Sequence, residues 1–287
     1  MFAPYLAHNS PTEGDITRKL IPPVWMERGN WEHPLGTDRF GRDVLSRIIY
    51  GSWISLAVSL IAIGVAGTVG TVLGLISGYR GGRTDAVLMR LTDVGLSLPT
   101  ILIAVVLVAV SEPSFGNVIL VIALLLWPRF ARQIRGETLA IKEQDFVALA
   151  VVAGRSSAWI IRRHIFPNVV PTLLVISTLQ VGYVILLEGS LSFLGVGVPP
   201  PNPAWGLMIA DGRGFLATAW WISLFPGLAM LLTVLAVNLM GDWLRDHLDP
   251  KLRQLGRAAV LEAPTAAPVG HAVEEAGATS AATADGG

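Results

Sequence analysis

Residues Gln144–Asn168, QDFVALAVVAGRSSAWIIRRHIFPN, form a polar interruption between two apolar runs, and we call them the elbow. The apolar residues from 146 to 151 predict a short helix, which Gly154 ends because glycine readily adopts a positive φ. Ser156 or Ser157 can cap a second short helix, and we expect Pro167 to stop it. The elbow is too polar to cross a bilayer and therefore indicates a surface offered to a soluble partner.

The second helix of the elbow has an apolar face and a basic end. Ala158, Ile161 and Ile165 recur at the spacing of one helix face. Positive charge near a helix C-terminus interacts favourably with the helix dipole. Three such side chains precede the proline: Arg162, Arg163 and His164.

The composition indicates an all-α polytopic membrane protein. Of the 287 residues, 52% are hydrophobic and 15% are charged, whereas soluble domains have about 25% charged residues. The formal net charge of zero gives no support for a nucleic-acid partner. The chain has no cysteine, which excludes disulfides and thiolate metal sites. The five histidines are scattered without a metal-binding spacing, so we expect no metal site.

Apolar runs predict about five membrane-spanning helices. The runs are Trp53–Gly78, Val87–Val110, Val118–Phe130, Val169–Leu187 and Trp220–Met240. The third is shorter than the roughly 20 residues needed to span, so it crosses only if its helix starts near Phe115 or continues through Pro128. Glycine and small residues in the first run favour close helix packing. We therefore expect an extracytoplasmic segment at 1–50, a membrane domain at 51–243 and a cytoplasmic, largely disordered tail at 244–287.

The distribution of basic residues predicts the orientation. Alternating the loops between the two sides places most arginines and lysines on the side of the elbow, and the positive-inside rule makes that side cytoplasmic. Its basic residues are Arg80, Arg83, Arg90, Arg129, Arg132, Arg135, Lys142, Arg155, Arg162, Arg163, Arg245, Lys251, Arg253 and Arg257. The C-terminus is then cytoplasmic. The opposite side receives Arg213 and the basic residues of the N-terminal segment, Arg18, Lys19, Arg28, Arg39, Arg42 and Arg47.

The elbow resembles the cytoplasmic loop of ABC importer permeases. That loop has Glu-Ala-Ala, a glycine after three further residues and a hydrophobic-Pro ending; here the matching residues are Ala148-Leu149-Ala150, Gly154 and His164-Ile165-Phe166-Pro167-Asn168. The HIFPN ending is similar to the peptide and nickel branch. The chain departs from the pattern where the Glu is Ala148 and the first Ala is Leu149.

Four further blocks, in order, resemble the C-type permease of dipeptide and oligopeptide ABC importers, over about residues 2–250. They are HPLGTD at His33–Asp38 with Gly41–Arg47; Asp93 with Leu98-Pro99; Leu191–Gly195 with Pro199–Pro201 and Trp205–Leu207; and Asn238–Asp242 with Leu244–Asp246 and Leu248–Pro250. The family's first transmembrane helix runs into a Phe-Ala-Pro-like segment, here Met1–Tyr5. We therefore expect a further apolar helix to be encoded upstream.

The resemblance implies a type I ABC importer transmembrane domain in the bacterial cytoplasmic (inner) membrane, surrounded by lipid. It implies a second, B-type permease, two ATPase subunits or domains and an extracytoplasmic substrate-binding protein. Di- and oligopeptides are the expected substrates, with nickel chelates or haem as the alternative. ATP and magnesium would lie on the ATPases, and this chain has no GxxxxGK[ST] phosphate loop. An ion-driven secondary transporter is a further alternative, predicting buried ionisable residues and often inverted repeats.

Three groups of residues are candidates for function. The residues expected to couple to the ATPase are Ala148, Leu149, Ala150, Gly154, Ile161, Arg162, Arg163, His164 and Pro167. Those of the extracytoplasmic motif are Gly36, Thr37, Asp38, Gly41, Arg42 and Asp43; the motif either forms a structured loop, with Thr37 or Asp38 capping a short helix, or contacts the substrate or binding protein. Glu188 and Ser190 either line the translocation path or mark a helix end near the outer interface. Asp93 is expected to pair with Arg90 at i−3.

Overall fold

The computed structural model describes residues 7, 9–111 and 114–248. Apart from short 3₁₀ turns and one bridge between Thr37 and Asp43, the regular structure of these residues is helical. The helices are α1 (Val44–Arg80), α2 (Gly82–Ser97), α3 (Thr100–Ser111), α4 (Phe115–Lys142), α5 (Asp145–Val152), α6 (Ser157–Phe193), α7 (Trp205–Gly212) and α8 (Trp221–Leu248).

Within the described residues, α1, α4, α6 and α8 are long and apolar enough to cross a membrane. Taken together, α2 and α3 are also long and apolar enough to cross, but they are bent by 90° relative to each other. Counting the bent pair as one span gives five, which confirms the expectation of about five spanning helices. The weak third run becomes long enough to cross because α4 both starts at Phe115 and continues through Pro128.

The second apolar run is not the straight span that the sequence predicts. Its helix ends at Ser97, and Leu98 adopts an extended conformation with φ −79° and ψ 139°. The following ring of Pro99 disfavours the helical region for Leu98, which accounts for the bend. α3 then starts at Thr100 and contributes Ala104 and Val108 to the core.

The close packing of α1 against α4 depends on glycines spaced four residues apart. A Cβ added to Gly70 would lie 2.6 Å from the carbonyl oxygen of Trp127, and one added to Gly74 would lie 2.7 Å from that of Ala131. At Gly78 it would lie 2.7 Å from Cβ of Thr138. These glycines bring the two backbones together, as the small residues of the first run predict.

Buried apolar side chains from α1, α3, α4, α6, α7 and α8 form one main core, which includes Val58, Ala62, Val108, Ile122, Phe130, Ile185, Trp205 and Ile222. α7 lies between the fourth and fifth apolar runs, and it buries Trp205 and Met208. α8 continues to Leu248, so the first residues of the expected tail are helical. The expectations for Met1–Tyr5 and for the tail from 249 lie outside the described residues.

Candidate coupling elbow and buried polar clusters

The break in the elbow is a glycine-terminated helix end. Gly154 has a φ of +72°. Its N–H donates to the carbonyl of Val151 at 2.9 Å, and the N–H of Arg155 donates to that of Ala150 at 3.1 Å. This pair of bonds is the Schellman arrangement, which satisfies the last carbonyls of a helix and turns the chain away. Gly154 therefore sets the angle between α5 and α6.

The second limb of the elbow is the start of a membrane span and not a separate short helix. The Oγ of Ser156 accepts from the N–H of Trp159, as the sequence predicts. The helix then passes through a π turn at Ile161–Ile165 and continues without a break to Phe193. The expectation that Pro167 stops the helix is wrong, and Arg162, Arg163 and His164 do not lie at a helix C-terminus.

The elbow buries one face against its own chain. The buried side chains of Val147, Ala150, Ile160 and Ile165 pack with Leu75 of α1, Ile134 of α4 and Val169 of α6. Ala150, a candidate for coupling, therefore anchors α5. The shared face predicted for Ala158, Ile161 and Ile165 is not formed, because Ala158 is exposed and Ile160 is buried instead.

The opposite face of the elbow exposes large apolar side chains. Leu149 is 69% exposed and Val152 86% exposed. The remaining members of this exposed elbow face are Phe146, Val151 and Trp159. The ring of His164 lies between those of Phe146 and Trp159, with centroids 5.7 and 5.1 Å away.

The other candidates for coupling lie around this face. Ala148, Gly154, Arg162, Arg163 and Pro167 are exposed, whereas Ile161 and His164 are half-buried. An apolar surface bordered by basic residues is typical of a protein interaction site.

The motif of residues 36–43, which the sequence predicts to be extracytoplasmic, forms part of a buried ionic cluster. One oxygen of Asp38 accepts from the backbone N–H groups of Phe40 and Arg42 at 2.8 and 3.0 Å, and the other accepts from Nε of Arg42 at 2.7 Å. Nε of Arg47 lies 3.7 Å from the same carboxylate. Asp211, which lies far along the chain in α7, pairs with Arg39 at 2.8 Å.

The capping residue of this motif differs from the sequence prediction. Asp43 caps α1 by accepting from the N–H of Ser46 at 2.7 Å, and it also contacts Nδ1 of His33 at 3.1 Å. The carbonyl of Thr37 accepts from Nε1 of Trp221 at 3.2 Å, so Thr37 ties the loop to α8 and caps no helix. Gly36 and Gly41, with φ of +84° and +75°, provide the turns.

Glu188, in α6, is buried against α1. Its Oε1 accepts from Oγ of Ser192 at 2.6 Å, and its Oε2 accepts from Oγ of Ser55 at 3.5 Å. The helix extends beyond it to Phe193, so Glu188 is not at a helix end. Ser190 is half-buried and donates to the carbonyl of Leu186. The structure therefore does not bring the two candidates for the translocation path together.

Two ion pairs join α2 to α4. Asp93 pairs with Arg132, where the sequence suggested Arg90. Asp85 accepts from Nε and Nη2 of Arg135 at 2.7 and 2.6 Å. No sequence spacing indicates these pairs, because their members are separated by 39 and 50 residues. Among the described residues, no group of His, Cys, Asp and Glu could hold a metal ion.

Comparison with known proteins identifies the family. The family model "Binding-protein-dependent transport system inner membrane component" matches residues 70–254. The dipeptide transport system permease protein DppC of Escherichia coli is 45% identical over 254 residues, which cover 88% of this chain and 85% of the relative. The protein of the same name from Haemophilus influenzae is 44% identical, covering 88% and 86%.

The solved structures agree on the fold. An inward-facing structure of the MetNI methionine ABC transporter matches with a TM-score of 0.61 at 15% identity, over 71% of this chain and 96% of that one. This confirms the expected type I ABC importer transmembrane fold. The chain therefore belongs to the family of inner membrane components of binding-protein-dependent transport systems, in the branch of the dipeptide permeases of ABC importers.

Proposed function

We propose that this multi-pass permease moves di- or oligopeptides across the inner membrane and that the elbow, residues 144–168, couples it to separate ATPase subunits. The exposed elbow face carries the proposal. Leu149 and Val152 are largely exposed, while the other side of α5 is fixed in a buried cluster. The high identity to relatives named dipeptide transport permeases supports a peptide as the cargo.

The elbow suits the transmission of force because one of its limbs is a span. α6 has 37 residues, or roughly 55 Å at 1.5 Å per residue. A push on the exposed elbow face would tilt α6 as one body, since Ile160 and Ile165 tie its start to α1 and α4. Closure of the ATPases would in this way switch the bundle between inward-facing and outward-facing states.

The working complex would contain further chains. We infer a second permease that completes the path, two ATPase subunits or domains that bind ATP and magnesium, and an extracytoplasmic protein that delivers the peptide. The basic residues around the elbow favour a cytoplasmic elbow and C-terminus. Ala148 occupies the position of the family's glutamate, so apolar contacts and the exposed Arg162 and Arg163 would hold the ATPase.

The test is uptake of a labelled dipeptide into proteoliposomes that contain the full complex, with the binding protein and the peptide outside. We expect uptake with enclosed ATP and none with a non-hydrolysable analogue. A Leu149→Asp variant should lose both uptake and co-purification of the ATPase, whereas an Ala148→Ser control should keep both. Uptake that follows an ion gradient and ignores ATP would establish a secondary transporter instead.

A further inference from the structure

Arg129, which the loop assignment places with the cytoplasmic basic residues, lies inside the long helix α4 and has no acidic partner among the described residues. It follows Phe115, the first residue of α4, by roughly 21 Å along the helix at 1.5 Å per residue, a distance shorter than the thickness of a hydrocarbon core, about 30 Å. Its side chain is half-buried, and no carboxylate of the described residues lies within ion-pair distance of it. An ionisable group at such a depth is a functional candidate, since it needs water or a counter-charge.

The neighbouring arginines of α4 are neutralised. Arg132 and Arg135 are paired with Asp93 and Asp85 of α2. α2 therefore supplies a counter-charge to these two and none to Arg129. The guanidinium of Arg129 instead lies over the ring of Tyr183 in α6, 4.1 Å from its centroid. This contact fixes the position of the charge and leaves the N–H donors of Arg129 available.

Tyr183 belongs to a line of residues on the side of α6 that is not buried in the bundle. At 100° per residue, an arc of roughly 60° contains Thr172, Leu179, Tyr183, Leu186 and Ser190, all half-buried or exposed. Three of these five side chains carry a hydroxyl. A purely lipid-facing line would be largely apolar, as it is on α3, whose exposed residues are Ile101, Leu102, Val106, Ala109, Val110 and, at its last position, Ser111. The line on α6 fits a wetted path better than lipid.

We propose that Arg129, held against Tyr183, receives the terminal carboxylate of a peptide in transit. This inference rests on the proposed function. The planar guanidinium binds a carboxylate through two parallel hydrogen bonds, and the stacked ring restricts its orientation. The contact is transient, because a transport path requires binding that is weak enough for release. A carboxylate of the second permease or the phosphate of an anionic lipid headgroup could bind the same guanidinium, and the test separates these sources from the peptide.

The experiment compares two peptides in proteoliposomes containing the complete complex: a dipeptide with a free carboxylate and its C-terminal amide. Arg129→Gln is compared with the wild type, with Arg129→Lys and with Arg213→Gln. Arg213 is a matched control, since its guanidinium lies 5.5 Å from the ring centroid of Phe193, outside the spans. The same binding protein serves every preparation, so its own preference cancels in the ratio of variant to wild type.

We expect Arg129→Gln to lower uptake of the free dipeptide about tenfold or more and to leave uptake of the amide at the wild-type level. Arg129→Lys should retain an intermediate rate, and Arg213→Gln should change neither. An equal loss for both peptides would overturn the proposal and indicate a fixed carboxylate of the second permease. A loss that appears only in vesicles with anionic lipid would overturn it in favour of a headgroup.

Unchanged uptake in Arg129→Gln would also overturn the proposal, and it would leave the proposed function intact. If the wild-type complex moves no dipeptide with ATP, the proposed function fails, and this inference fails with it. ATPase activity and subunit composition of each variant, measured on the same preparations, show that the complex has assembled.

Discussion

At the scale of single residues, the angle of the elbow depends on Gly154. Nothing lies within 4 Å of a Cβ added there, so the φ of +72° alone opposes other residues. A β-branched residue in this region costs roughly 1–2 kcal/mol. We expect Gly154→Val to lose ATP-driven uptake while the protein still inserts, and Gly154→Asn, which tolerates positive φ, to stay near the wild type. Equal uptake in both variants would contradict the role of the turn.

Glu188 gives a second prediction at this scale. Its carboxylate satisfies the hydroxyls of Ser55 and Ser192 inside the bundle. Glu188→Gln keeps an acceptor of the same shape, whereas Glu188→Leu leaves the hydroxyls without this partner, at about 1 kcal/mol or more. Thermal unfolding of the purified complex in detergent should rank the wild type and Gln above Leu. Ser190→Ala is the control, and a Leu variant as stable as the wild type would show that the cluster does not stabilise the fold.

At the scale of elements, the sequence predicts the elbow better than it predicts the ends of helices. The apolar run, Gly154 and the cap at Ser156 are local signals, and each is confirmed. Pro167 is not a stop, because the preceding π turn uses a wider register, in which the N–H of Phe166 donates to the carbonyl of Ile161. That register relieves the clash that a proline makes in an ordinary turn. Pro99 does break its helix, whereas Pro128 lies inside α4 without a π turn.

A prediction at the scale of elements concerns the contact between α1 and α4. A Cβ at Gly74 would lie 2.7 Å from the carbonyl oxygen of Ala131 and 2.9 Å from Cβ of Ile134, whereas one at Gly64 meets nothing within 4 Å. Gly74→Val should therefore destabilise the bundle by roughly 1–3 kcal/mol, seen as a lower unfolding temperature. Gly64→Val should change it little. If the two variants unfold together, close packing does not determine the stability of this pair.

At the scale of the whole molecule, local sequence patterns do not predict the contacts between segments that are far apart in the chain. The resemblance covers most of the chain and predicts the family, and hydropathy predicts the spans. Neither predicts that Asp211 joins Arg39, 172 residues away, or that Trp221 binds the carbonyl of Thr37. Such pairs depend on how the ends of α7 and α8 approach the loop before α1. A charge cluster in the loop before α1 can therefore be identified from sequence while its partners cannot.

The orientation of the chain in the membrane can be tested by cysteine labelling, because the wild type has no cysteine of its own that would react. Val152 in α5 and Leu216 before α8 are 86% and 54% exposed, and they are separated along the chain by the single span α6. Because one crossing lies between them, Val152→Cys and Leu216→Cys should react with an impermeant maleimide from opposite sides. The positive-inside rule assigns Val152 to the cytoplasm. In the permease expressed without ATPase subunits, which would cover Val152, we expect Val152→Cys to be labelled only in inside-out vesicles and Leu216→Cys only in intact spheroplasts, with the cysteine-free wild type unlabelled in both. Labelling of Val152→Cys from outside would separate the elbow from any cytoplasmic ATPase, and labelling of both from one side would mean that α6 does not cross.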